Sequence, residues 1–324
     1  MPLTPPRIGM TARLPASVQR LVAALPDGAD SRSLAVLRIG LALALLVSLM
    51  QSWLNVSAFY GPHGLLPPAV LPGSLGAHGW TLFAANPHLA WAQALLLVQC
   101  LVALALLAGW HTRLASLLSW LLLTSLLARN PLVAGDGERL LALLLLWGSF
   151  LPLGRHGSID AALSGDNHQP VPGGLPGSWA LRLQLASALF LGALAISTQG
   201  WSSAFASPAG AGALGHALAR HPGLGTVVAH LLQLIGLIAP WLLLAPLRWL
   251  RVAGAAGLVL ILLAQLSLLN LGLAPVIALV GLAGLLPTRL WQTAGARLGL
   301  GRGLRLYLDR DCAGCVRLAA LLRE

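Results

Sequence analysis

The sequence predicts an all-α protein, a polytopic transmembrane helical bundle of about eight spans with interfacial helices on its outer face. Three observations predict it. Of the 324 residues, 57% are hydrophobic and only 9% are charged, whereas a soluble globular domain carries about 25% charged residues. Apolar runs of 16–25 residues recur along nearly the whole chain, and such runs cross ~30 Å of hydrocarbon as helices. The third observation is the placement of the positive charge between those runs.

Taken in order, residues 1–32 are polar and contain Pro and Arg, with no h-region and small-residue cleavage site of a removed signal peptide. They form a cytoplasmic N-terminal segment ahead of a transmembrane domain at 33–292. Its spans fall at roughly 34–54, 87–110, 112–129, 137–154, 178–199, 224–246, 249–272 and 274–291. The third, fourth and eighth lie near the lower length limit for crossing. The seventh and eighth meet at Ala274–Pro275, where a re-entrant hairpin is the alternative. Residues 55–86 and 200–223 are long outer loops, and long ordered loops usually have a function. Trp53, Tyr60, Trp80 and Trp201 in and beside them suit headgroup level. The inner loop 155–177 reads as a plain polar connector. Residues 293–324 form a cytoplasmic tail.

The arginines test this arrangement. All 20 basic residues are Arg, and with the N-terminus inside, sixteen fall on the inner side. Arg38 lies within the first span, and only Arg129, Arg139 and Arg220 fall outside. The positive-inside rule places both termini in the cytoplasm, and an odd number of spans would destroy the asymmetry. The formal charge of +11 therefore points to anionic headgroups of a lipid bilayer, not to nucleic acid. An Arg-only, Ala-, Gly- and Pro-rich composition fits a GC-rich bacterial genome and hence a bacterial inner (plasma) membrane. With no Lys, no Schiff base or lysine general base is available.

Polar groups within spans are the functional candidates. Arg38 either pairs with an acceptor in the bundle or snorkels to the cytoplasmic headgroups. His230 and Gln233 share one face of the sixth span; an interhelical hydrogen bond and a proton-handling His are the two readings. Asp136, Glu138 and Arg139 open the fourth span, where Asp136 suits an N-cap. The same residues face outward with Asn130, His216 and His221. A shared pocket of amide, carboxylate and imidazole is what an acid/base or ligand site needs. The catalytic candidates are thus Asp136, Glu138, His216, His221 and His230; the ligand-binding candidates are Asn130, Arg139, Trp201, Gln233 and Gln265. No metal site is expected, because the histidines lack close pairing and no Cys is near them. Cys100, in mid-span, reads as a packing residue.

Several stretches together resemble the HTTM family, the membrane domain shared with vitamin K-dependent γ-carboxylases. They are "SLAVLRIGLALALLVSLM" (33–50), "FYGPHGLLP" (59–67), "LARNPLVAGDGERLLALLLLWGSFLPLGRHGSID" (127–160), "LFLGALAISTQGWSSAFASPAGAGALGHAL" (189–218) and "LLPTRLW" (285–291). The resemblance implies a carboxylase-like bundle. In the carboxylase branch a lysine before the Trp is the base in vitamin K hydroquinone oxidation. Here the corresponding place is Ala195–Ile196, and Gln265 stands where the family often has a His. Arg does not deprotonate in proteins, so the carboxylase mechanism is expected to be absent.

The tail "LRLYLDRDCAGCVRLAALLRE" (304–324) reads as strand, C-x-x-C turn and helix, the redox arrangement in which a helix N-terminus activates a thiol. It resembles the start of DCC-family thiol–disulfide oxidoreductases, but one strand does not fold alone. Cys312 and Cys315 are therefore either a relic or half of a module that a thiol–disulfide oxidoreductase partner completes. Three functions follow as expectations. The first is a protein that binds a lipid- or quinone-like ligand, or serves as a membrane platform for a redox partner. The second is an enzyme, carboxylase-like or a quinone-linked oxidoreductase, using the outer His, Asp and Glu groups. The third is a transporter, for which the Pro/Gly-broken spans argue.

Overall fold

The computed structural model describes residues 30–67, 81–164, 176–199, 204–205, 207, 210–287 and 290–293. Among them the fold is all-α: eleven helices, a single 3-10 turn and one isolated β-bridge, Ala211 to Leu269. The helices are α1 (Ser31–Leu54), α2 (Val56–Tyr60), α3 (Leu89–Ala108), α4 (Thr112–Arg129), α5 (Asp136–Ser149), α6 (Ile159–Ser164), α7 (Pro176–Gln199), α8 (Ala213–Ala219), α9 (Pro222–Leu243), α10 (Arg248–Leu268) and α11 (Ala274–Ala283). Five of them (α1, α3, α7, α9 and α10) are long and apolar enough to cross a membrane, which gives the chain the makeup of a multi-pass membrane protein. Each of the eight spans read from the sequence contains one helix, but α5 has 14 residues and α11 only 10.

The centre of the bundle is α1. Asp30 caps it, accepting from the Arg32 N–H at 2.8 Å. Leu34, Leu37, Leu41, Leu45 and Leu49 recur at three- to four-residue spacing and are fully buried. Around α1 stand α3, α5 and α11, with α4 and α7 behind them, and α9 and α10 pair at the side. Close approach depends on small residues: a Cβ on Gly40 would fall 2.5 Å from Val280 Cγ1 of α11. One on Gly236 of α9 would meet Ala193 of α7 at 2.8 Å. Leu224, Val227, Leu231, Leu234, Ile238 and Trp241 form an exposed stripe along α9. In water such a stripe would be an aggregation hazard; against lipid it is an ordinary outer face.

Two ends can be distinguished. The near end, where α1 begins, holds residues 109–112, 150–160 and 284–287. The far end, where α1 finishes, holds 55–66, 81–85, 130–137, 210–213 and 268–274. Exposed tryptophans mark both, Trp53 at the far end and Trp110 and Trp249 at the near end, as suits side chains at two interfaces. Arg38 resolves its two readings in favour of pairing. Its buried guanidinium donates to the carbonyls of Leu153 (3.3 Å), His156 (3.5 Å) and Gly157 (2.5 Å). The first part of the 155–177 connector is correspondingly not plain. It contains α6, and Asp160 accepts from the N–H groups of His111 (2.8 Å) and Thr112 (2.9 Å), capping α4 from a distant place in the chain. Burial raises the Asp160 pKa, but these amide bonds outweigh it and hold the carboxyl below its usual range.

Candidate functional site

A cavity of about 310 Å³ lies at the far end between α1, α2, α4 and α5. Its construction begins where α4 stops. Asn130, the C-cap, precedes Pro131, and a residue before proline is pushed out of helical conformation. The turn aims Arg129, the last residue of α4, and its C-cap Asn130 at the 59–66 segment. Arg129 donates to Leu66 O (2.9 Å) and Tyr60 O (3.4 Å), and Asn130 Nδ2 donates to Phe59 O (2.8 Å). The Thr81 hydroxyl donates to Ser125 O (2.6 Å), and Ser125 Oγ accepts from Leu82 N–H (2.7 Å). Two segments far apart in sequence are thereby drawn over the end of α4.

Inside the cavity the polar groups are Ser48, Gln51 and Ser52 of α1, Asn55, Tyr60 of α2, Asn130, and Glu138 of α5; Phe59, Leu123, Leu126 and Leu127 supply apolar wall. The Ser48 hydroxyl lies 3.4 Å from Glu138 Oε1, long for a hydrogen bond between oxygens. Asn130 is 2% exposed, and its Oδ1 has no hydrogen-bond partner among the described residues. The Tyr60 phenol is pushed up by burial; a hydrogen bond with Ser52 and the Arg129 charge oppose this, while Glu138 adds to it. The phenol therefore stays protonated and can donate. Glu138 and Asn130 Oδ1, by contrast, present acceptors. One carboxylate and one amide oxygen suit a hydrogen-bond-donating head better than a metal ion.

Of the candidates read from the sequence, the cavity unites Asn130 and Glu138. His216, His221 and His230 do not line it. All three are exposed, and His230 Nδ1 donates to Thr226 O of its own helix (2.7 Å), with no interhelical bond among the described residues. Asp136 is not the N-cap of α5; that place falls to Gly135, and Asp136 pairs instead with Arg139 at 3.4 Å on the surface. Gln233 and Gln265 are half-buried in α9 and α10. Trp201, Cys312 and Cys315 lie outside the described residues. The sequence reading missed Ser48, Ser52 and the pinning role of Arg129. The signal was present for the serines, which lie four apart on α1 and so share a face.

A larger cavity, of about 560 Å³, opens at the near end beside the capped start of α4. Compared with protein-family models, curated proteins and solved structures, the chain matches none.

Proposed function

We propose that this chain is an HTTM-like protein of a bacterial inner membrane that binds a lipid- or quinone-like amphiphile by its head at the far-end cavity. The observation that carries the reading is the buried Asn130 Oδ1, unpartnered among the described residues, on a side chain that lines the same cavity as Glu138. An unmet buried acceptor costs about 1–3 kcal/mol, and a hydroxyl donor from a ligand recovers that loss. A hydroquinone has two such hydroxyls, whereas the oxidised quinone only accepts. The cavity should therefore prefer the reduced form.

In this reading all eight apolar segments belong to the membrane domain, with the short α5 and α11 packed among longer helices. Arginine supports the orientation. Of the ten described arginines, Arg32, Arg38, Arg113, Arg155, Arg182, Arg248 and Arg251 lie toward the near end, against Arg129, Arg139 and Arg220 at the far end. By the positive-inside rule the near end is cytoplasmic, so both termini are cytoplasmic and the ligand enters from the outer leaflet. Carboxylase chemistry is not part of the proposal, since no lysine is available as its base.

The test is equilibrium binding of decyl-ubiquinol and decyl-ubiquinone to the purified full chain. Preference for the quinol by about tenfold, the effect of one hydrogen bond of ordinary strength, is expected, and Glu138→Gln and Asn130→Leu should each remove it. Equal affinity for the two forms, unchanged by either variant, would reject the proposal.

A further inference from the structure

At the near end, α3 turns sharply into α4 through Gly109, Trp110 and His111. Gly109 adopts a positive φ of 75°, and His111, rare for a residue with a side chain, one of 45°. The two carboxylate oxygens of Asp160 are taken up by the His111 and Thr112 amides. This carboxylate is therefore committed to the helix start. The cavity beside it, about 560 Å³, is lined by Ser31, Thr112, Arg113, Leu114, Arg155 and Asp160 among others. Arg113 is exposed and makes no hydrogen bond or ion pair among the described residues; the ion pair found there joins Arg139 to Asp136 at the far end. Arg155 comes from the 150–158 loop that Arg38 holds in place. Two guanidinium groups from separate elements thus border one roomy space, and the planar fork of Arg matches phosphate oxygens in pairs.

The surroundings tell which phosphate the space suits. Leu114, Leu117 and Leu121 are exposed along α4, at i, i+3 and i+7, so they form one stripe running from the cavity toward the middle of the bundle. Trp110 and, on α6, Ile159 and Leu163 are exposed beside the opening. A headgroup at the arginines would leave its acyl chain on that stripe, with the indole at interface depth. We infer that the near-end cavity is a binding site for a phosphate diester, that of an anionic phospholipid such as phosphatidylglycerol, with Arg113 and Arg155 on the phosphate. Basic pockets between helices at the cytoplasmic side recognise such headgroups by the same chemistry. This site is separate from the far-end cavity, and either can fail without the other.

The experiment reconstitutes the full chain in phosphatidylcholine nanodiscs doped with phosphatidylglycerol whose acyl chains are brominated. Quenching that vanishes in Trp110→Phe reports lipid at this opening. Stronger quenching by brominated phosphatidylglycerol than by brominated phosphatidylcholine is expected. Arg113→Ala should cut the preference by about tenfold, and Arg113→Ala with Arg155→Ala should abolish it. Arg113 is exposed and has no bonding partner among the described residues, so its variant is expected to keep the fold, and Arg220→Ala at the far end should leave the preference intact. Inorganic phosphate is the second probe. If it erases the preference and protects the protein against heat in detergent by itself, the arginines hold phosphate but a free anion is the source. If neither phosphatidylglycerol nor inorganic phosphate distinguishes the native chain from Arg113→Ala, the site does not exist.

Discussion

Arg129 donates to the carbonyl of Leu66 across 63 positions of sequence, at 2.9 Å and out of contact with water. The contact ties the 60–66 segment to the end of α4 beside the far-end cavity. A guanidinium reaches two carbonyls at once from a single stem, which an ammonium cannot do in the same geometry. Arg129→Met should therefore strand the Leu66 and Tyr60 carbonyls and lower stability by about 2 kcal/mol. Arg129→Lys should restore only part of it. Thermal unfolding in detergent, followed by circular dichroism, checks both; full recovery with Lys would mean that charge alone matters.

Asp160 gives a pH dependence whose sign can be worked out. Its carboxyl titrates below its ordinary value because the His111 and Thr112 amides bond the ionised form. A depressed pKa means that the folded state favours the carboxylate. The stabilisation is thus complete above the unfolded value of ~3.9 and is lost as pH falls through the folded value. Asp160→Ala should destabilise the native chain by about 1 kcal/mol at neutral pH, as loss of a helix cap does. The gap should close in acid. A gap that is constant from neutral pH to below the carboxyl range would contradict this account.

Gln99 sits at 0% exposure on α3 with neither Oε1 nor Nε2 bonded among the described residues. Replacing both unsatisfied groups by an apolar side chain of similar size removes a desolvation cost. Gln99→Leu is expected to raise stability by about 1 kcal/mol, read as a higher unfolding midpoint. A lower midpoint would show that the amide has a partner in the membrane-embedded state.

Gly109 is constrained twice, by its φ of 75° and by the Arg38 guanidinium and Ser158 side chain standing where a Cβ would go. Gly109→Ala should cost about 2 kcal/mol or more. It should also loosen the 150–158 loop, seen as faster proteolysis there. Gly157, also at positive φ but with open space around it, should tolerate Ala at a smaller cost from backbone strain alone.

The long helices were legible because each carries a long apolar run with few charges. The third span, expected at 112–129, is the helix Thr112–Arg129. The fourth and eighth, expected at 137–154 and 274–291, end early, at Ser149 and Ala283. Past Ser149 hydropathy continues because Leu151 and Leu153 are buried in the turn, each 1% exposed; past Ala283 it continues through the half-buried Leu285 and Leu286. Two of the cavity's polar groups, Asn130 and Glu138, could be picked out as polar residues at one end of the helical bundle. Their meeting with Ser48 and Tyr60 could not, since it depends on the packing of α1 against α5 and on Arg129 gripping carbonyls, which carry no side-chain signature. The Asp160 cap is hidden for the same reason: its partners are amides 48 and 49 positions away.

The shortness of α11 constrains biogenesis. Ten residues make a rod of about 15 Å, too little for a translocon to release sideways into lipid as an independent segment. Yet α11 fills the groove that Gly40 of α1 and Gly137 of α5 leave open, its Val280 and Ala274 lying where their missing Cβ atoms would be. Helix α1 therefore keeps one face unfilled until α11, far later in the chain, has been synthesised. Assembly is then a late, concerted docking of α11, and a ribosome stalled before residue 283 would hold a set of inserted helices that has not yet become a bundle.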